Sequence, residues 1–223
     1  MENGIIISPD GGRVSIPGME DVFEKAGASV ETIFRRLEFN EVIQYTKGNG
    51  VDIGCGLNKI HSSAIGVDMR LGNKDFGYAY GANIMYRSEK PYLELLWFAD
   101  ESLDFVFSSH CLEHIVDPVK SVKEMRRVLK KGGHLVIILP DDRYYPHVGE
   151  KGANPDHKMD YSPKRLVNIV QEAGKYEVIQ LDTLHSRLVN VALTPRDQRI
   201  ADHYGHKSFN FSFEGVFRKT ADL

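Results

Sequence analysis

The sequence predicts one α/β domain built around a mostly parallel β-sheet. Two observations carry that expectation. Short apolar segments with glycine or polar flanks, as buried parallel strands have, alternate with longer segments whose apolar residues recur at helical spacing. The 223 residues are 42% hydrophobic and 26% charged, ordinary usage for one sizeable globular domain, which excludes extended disorder and fibrous architecture. The chain reads as a single domain with a helical extension over residues 1–46, a core over 47–184, and an excursion and final strand over 185–223.

Residues 1–28 form a turn-rich lead-in punctuated by Pro9, Gly11, Gly12, Pro17 and Gly18. Val30, Ile33, Phe34 and Leu37 share one face and predict a helix from about Ser29 to Tyr45. Gly50–Ile53, Ala64–Asp68 and Leu103–Ser108 are strand candidates. Asp117 before Pro118 is a helix N-cap with proline at the first helical position, where a missing N–H costs nothing. Val119, Val122, Met125, Val128 and Leu129 make its buried stripe. Arg126, Arg127, Lys130 and Lys131 suit the negative end of the dipole, and Gly132-Gly133 is the expected stop. His134–Pro140 follows as a strand. Ser162-Pro163 opens a second helix that turns Leu166, Ile169, Val170 and Ala173 inward and ends at Gly174. Tyr176–Leu184 is the next strand. Phe209, Phe211 and Phe213 alternate in a last candidate, Ser208–Lys219, after an irregular stretch at 185–207.

The formal charge of −3 and a pI near 6.3 offer no basic surface for nucleic acid or an anionic membrane. No apolar run reaches the ~18 residues of a membrane span. The first residues lack the basic start and long apolar core of a secretion signal. Two cysteines, Cys55 and Cys111, lack the spacing of a disulfide framework or zinc knuckle. The expectation is a cytoplasmic protein with neither nucleic-acid nor membrane partner and no assigned metal ligands.

The chemistry is concentrated in Val51-Asp52-Ile53-Gly54-Cys55-Gly56-Leu57-Asn58. A strand runs into a turn with glycines two apart, where the backbone can approach a ligand that a β-carbon would block. Asp68 closes the following strand and is placed to accept both hydroxyls of a ribose. A phosphate loop would need lysine and a hydroxyl residue after its last glycine, and Gly56 is followed by Leu57. A dinucleotide site prefers a third glycine, where Lys59 stands.

With these blocks in this order the sequence resembles the class I S-adenosylmethionine-dependent methyltransferases of the methyltransferase domain 11 type. Asp52-x-Gly54-x-Gly56 is similar to the cofactor loop and Gly66-Val67-Asp68 to the ribose acid. The segment Trp97 to Ile115 is similar to the fourth strand and its turn, and Arg127 to Leu139 to the fifth. The resemblance spans about residues 48–184, with a last strand at 208–219. It implies a Rossmann-like sheet of seven strands with helices on both faces and the last strand antiparallel. It also implies S-adenosylmethionine as cofactor and methyl transfer to a small-molecule or glycan-type acceptor. By the same resemblance Asp52, Gly54, Cys55 and Gly56 hold the methionine end, and Asp68 with Met69 the ribose. Ala82, Asn83 and Ile84 lie beside the adenine, with Asn83 at the end of the third strand, and Ser109 and His110 follow the fourth. The connection from Gly56 to Ala64 departs from the family in being too short for a long crossover helix.

His110 and His157 are the catalytic candidates. A hydroxyl acceptor needs a base within hydrogen-bond reach, and imidazole titrates near neutrality. For His110 the alternative is a wall of the site, and for His157 a solvated loop residue. Tyr144, Tyr145 and Tyr161 can stack on a sugar or cover the sheet edge. His110-Cys111-Leu112-Glu113-His114 also fits the H-x-x-E-H pattern of a zinc peptidase helix, which still needs a third ligand downstream. A zinc-dependent hydrolase and a non-catalytic nucleoside-binding subunit therefore stand as alternatives, and a homodimer stays open.

Overall fold

The structure, a computed structural model, describes residues 6–7, 14–15, 42–56, 59–61, 63–69, 83–86, 90–151, 153–183 and 212–221. The chain divides into two compact units, residues 1–40 with 184–211, and residues 41–183 with 212–223. In the first, Ile6–Ile7 and Val14–Ser15 form a short antiparallel ladder. The predicted helix at 29–45 lies outside the described residues except for a 3₁₀ turn at Ile43–Tyr45. The excursion at 185–207 lies wholly outside them.

The second unit holds a seven-stranded sheet: β1 (Gly50–Ile53), β2 (Ile65–Asp68), β3 (Ile84–Met85), β4 (Leu103–Ser109), β5 (Leu129–Pro140), β6 (Tyr176–Thr183) and β7 (Ser212–Lys219). Its order is β3-β2-β1-β4-β5-β7-β6. The ladders from β3 through β5 are parallel, and β7 runs antiparallel to both β5 and β6. Helix α1 (Pro118–Val128) joins β4 to β5, and α2 (Pro163–Ala173) precedes β6. The two helices pack together over β5, β6 and β7. Strand alternation decides what they cover. Val106, Leu135, Ile137, Leu139, Phe213 and Phe217 join Val122, Met125, Leu166 and Val170 in one core. The intervening Phe105, Phe107, Val136, Ile138 and Val216 are buried as well, so both faces of the central strands are covered.

Both helix starts follow the expected chemistry. The Asp117 carboxylate accepts from the Lys120 amide at 3.1 Å and the Ser162 hydroxyl from the Arg165 amide at 3.2 Å. The end of α1 differs from expectation. It stops at Val128, well before Gly132-Gly133, and β5 begins at once with Leu129. The orphan carbonyls of a helix C-terminus need partners, and here they come from outside the helix. The Glu101 and Ser102 amides donate to Arg127 and Val128, each at 2.9 Å. The buried Lys219 ammonium donates to the carbonyls of Arg126 (3.0 Å) and Leu129 (2.7 Å). The glycine pair serves a β-bulge instead. Gly132 has φ +81°, and a β-carbon on Gly133 would lie 2.9 Å from the Asp104 carbonyl oxygen.

A second difference concerns Asn83. It precedes β3 rather than ending it, because β3 is Ile84–Met85 and Asn83 pairs level with Gly66. Among the described residues of the link from β1 to β2 there is no helix, as the short connection predicts.

Candidate active site

Parallel α/β sheets bind ligands beyond the carboxyl ends of their strands. At the end of β1, Gly54 has φ +73°, and a β-carbon there would lie 2.7 Å from the Cys111 β-carbon. Only glycine satisfies both constraints. The Gly54 amide donates to the Val67 carbonyl at 2.8 Å, and the Gly56 amide to the Asp68 carboxylate at 2.9 Å. The glycine turn is thereby tied to the acid at the end of β2. Asp52 is buried beneath the turn and accepts from the Ile60 amide at 2.6 Å, which secures the short crossover from inside. Met69, just beyond Asp68, is mostly exposed.

The Asn83 side-chain oxygen accepts from the Gly66 amide at 2.9 Å and from the Lys59 ammonium at 3.1 Å. Lys59, which the sequence marks only as a missing glycine, thus brings a cation across to the start of β3. Ile84 is half-buried in β3, and Ala82 lies outside the described residues. Past the end of β3, the Tyr86 amide donates to the Asp68 carbonyl at 2.8 Å. Ser109 ends β4 with a buried hydroxyl that has no hydrogen-bond partner. The backbone passage at Gly54, the Asp68 carboxylate and the orphaned Ser109 hydroxyl fit a ribose-bearing ligand at this edge. Burial pushes the thiols of both Cys55 and Cys111 up to about 12, so neither is a nucleophile near neutral pH.

The residues after β4 form the other half of the site. His110 takes φ +51°, uncommon for a non-glycine residue, while its amide donates to the Ile138 carbonyl at 3.0 Å. Its Nε2 lies 3.0 Å from the Ser212 hydroxyl and its Nδ1 3.5 Å from the Glu113 carboxylate. Leu112–His114 is a single 3₁₀ turn. His110 and His114 therefore do not share a helix face, and the zinc-peptidase helix suggested by His-x-x-Glu-His is absent. His157 is buried rather than solvated, with Nε2 3.8 Å from Glu113. Its ring meets His114 edge-on at 4.8 Å, and Tyr145 at 5.3 Å. Burial holds the His157 imidazole below its usual range, and the Glu113 charge opposes that shift. A pocket opens here between Glu113, Asp142, Tyr145, His157, Met159 and Tyr161. Burial first, and the Asp141 charge second, raises the Asp142 carboxyl above the ordinary range. Tyr144 lies outside the pocket lining, beside the Arg143 guanidinium.

Two members of this group escaped the sequence reading. Glu113 was visible only as part of a metal motif. Ser212 reaches His110 because β7 pairs with β5, setting Ser212 opposite Pro140. The alternation of the final strand was the one available hint.

The sheet order, with a glycine turn closing β1 and an acid closing β2, defines the class: a Rossmann-like fold with a pocket formed by residues that follow β4 and β5. A family model for the methyltransferase domain matches residues 51–137, from β1 through the middle of β5. An uncharacterized protein of Methanocaldococcus jannaschii is 26% identical over 65% of this chain and 73% of its own length. A Mycobacterium tuberculosis protein named "Probable S-adenosylmethionine-dependent methyltransferase" is 27% identical over 39% of this chain and 31% of its own length. A solved S-adenosylmethionine-dependent methyltransferase from Archaeoglobus fulgidus shares the fold, with a TM-score of 0.54 and 20% identity over 89% of this chain and 98% of that one. These matches support a class I S-adenosylmethionine-dependent methyltransferase with S-adenosylmethionine as cofactor. Among the described residues no helix is long and apolar enough to cross a membrane.

Proposed function

We propose that the chain methylates a hydroxyl group of a small-molecule or glycan-type acceptor held in the pocket between Glu113, Tyr145 and His157. One observation carries this reading. On the edge that presents Gly54–Gly56 and Asp68, an imidazole stands between a carboxylate and a hydroxyl, with Glu113 at 3.5 Å from Nδ1 and Ser212 at 3.0 Å from Nε2 of His110. Bound S-adenosylmethionine supplies an electrophilic methyl group on a sulfonium. The protein's own share is to hold, align and deprotonate. The Gly54–Gly56 backbone, with Cys55 between, takes the methionine end while Asp52 keeps the turn in shape. Asp68 takes the ribose beside Met69, Ser109 offers its hydroxyl, and residues 82–84 border the adenine. His157, Tyr145 and Tyr161 line the acceptor wall. Alignment of this kind contributes up to roughly 7–11 kcal/mol. The acceptor proton passes to Nε2 of His110, and Glu113 stabilises the resulting imidazolium.

The test is a thermal-shift titration with S-adenosylmethionine and its demethylated product. Ligand at a hundredfold excess over Kd stabilises by about 2.7 kcal/mol, which for a chain of this size raises Tm by roughly 5–10 °C. Asp68→Ala removes most of the rise; an unshifted Tm in the parent protein refutes the reading. With a sugar, polyol or phenol acceptor that turns over, His110→Ala lowers kcat by about 10²–10⁴.

A further inference from the structure

Glu113 presents a problem the proton transfer does not resolve. Its side chain is 2% exposed, and neither carboxylate oxygen accepts a hydrogen bond. A buried carboxylate without donors is stable only when something cationic stands beside it. The nearest nitrogens, on His110 and His157, lie at 3.5 Å and 3.8 Å. Glu113, His114 and His157 offer one ligand atom each, all within 4.8 Å of one another. The cluster is held from two elements: Glu113 and His114 sit in the turn after β4, and His157 in the loop between β5 and α2. The Lys158 amide donates to the Glu113 carbonyl at 2.7 Å and pins that loop to the turn.

We propose that Glu113, His114 and His157 bind one divalent transition-metal ion of the zinc class at the acceptor end of the site. Two imidazoles and a carboxylate are a borderline donor set that suits zinc and leaves coordination positions open. Tetrahedral bonds of about 2.0–2.2 Å require the most widely separated pair, at up to 4.8 Å, to close in by roughly 1.2–1.5 Å. Two of the three residues, Glu113 and His157, also line the pocket bordered by Tyr145 and Asp142. This site differs from the peptidase motif: His110 is no ligand, staying as partner of Glu113 and Ser212, and His157 supplies the downstream ligand that the five-residue pattern lacks. Ion binding stands on these three side chains alone. Only its use, polarising an acceptor oxygen, rests on the methyl-transfer reading.

The experiment is calorimetric titration of Zn²⁺ into the chelator-stripped full chain. One ion per chain is expected, with Kd below about 1 µM, as the nanomolar-class affinities of protein zinc sites make reasonable. His114→Ala, His157→Ala and Glu113→Gln each weaken it at least tenfold, and His147→Ala leaves it unchanged. Less than about a tenth of an ion per chain, or equal affinity in all four variants, overturns the site; the second result marks surface binding. Should a variant fail to fold by circular dichroism, Co²⁺ in the parent protein decides: histidine-ligated visible absorption supports the site and its absence overturns it. A Tm rise with S-adenosylmethionine in protein that binds no zinc defeats this inference alone, whereas loss of both defeats the methyl-transfer reading too.

Discussion

Single residues at the carboxyl edge carry constraints that substitution exposes. Gly54 combines φ +73° with a β-carbon position 2.7 Å from Cys111. Gly54→Ala adds left-handed strain of about 1–2 kcal/mol and overpacking of about 1–3 kcal/mol. A lower Tm and weaker S-adenosylmethionine binding are expected. Adding Cys111→Gly recovers the packing part but not the conformational part, which a comparison of melting temperatures separates. The glycine turn and the acid that ends β2 were legible in the sequence, because a tight turn and a strand-end carboxylate follow from local chemistry. The Asn83 bonds were not legible, since Gly66 and Lys59 reach it only through strand pairing. His134, in β5 against the Tyr45 ring, is held below the ordinary 6.5 by burial first and by Arg218 second. The unfolded chain then binds that proton more readily, so stability rises with pH up to about 6.5 and flattens above it. His134→Gln makes the slope shallower in Tm measured from pH 5 to pH 8 buffers (values near the ordinary histidine range); an unchanged slope overturns the assignment.

Among the elements, α1 shows how far local grammar extends. Its start is written in Asp117-Pro118, a cap and a rigid first residue. Its end is set by Lys219, some ninety positions away, whose ammonium reaches two helix-end carbonyls and Glu101. Lys219→Met leaves those groups unpaired in a buried place, and a loss of about 3 kcal/mol is expected in chemical denaturation. Arg126 holds the same corner. Its two terminal nitrogens donate to the Lys175 and Thr220 carbonyls at 2.6 and 2.9 Å, and its guanidinium stands 5.0 Å over the Tyr176 ring. Gly174 is required beside it, because a β-carbon would lie 2.4 Å from the Arg126 side chain. Arg126→Lys is expected to recover little of what Arg126→Ala loses, since one ammonium cannot replace a planar fork. Equal stability of parent and lysine variant refutes that role.

For the whole molecule the decisive feature is the place of β7. The last strand in sequence lies between β5 and β6, with Val136 opposite Val216 on one side and Val178 opposite Phe217 on the other. Removing residues 212–223 therefore extracts an interior strand rather than trimming an edge. Loss of cooperative unfolding is expected by circular dichroism, together with loss of the S-adenosylmethionine shift. A truncated chain that still melts in one transition would show that β5 and β6 can close over the gap.

The sequence by itself determined every strand but β3, the helix starts, the glycine turn and its acid, since each depends on neighbours within a few residues. It also carried the class of protein, because those local blocks occur in the family's order. Tertiary structure decided where α1 ends, how Asn83 is used, and that His110, Glu113, His157 and Ser212 meet. Those outcomes depend on hydrogen bonds and burial between segments up to 118 residues apart. No local pattern encodes such distances: which side chains share a dry pocket is fixed only when the sheet brings its strand ends to one edge.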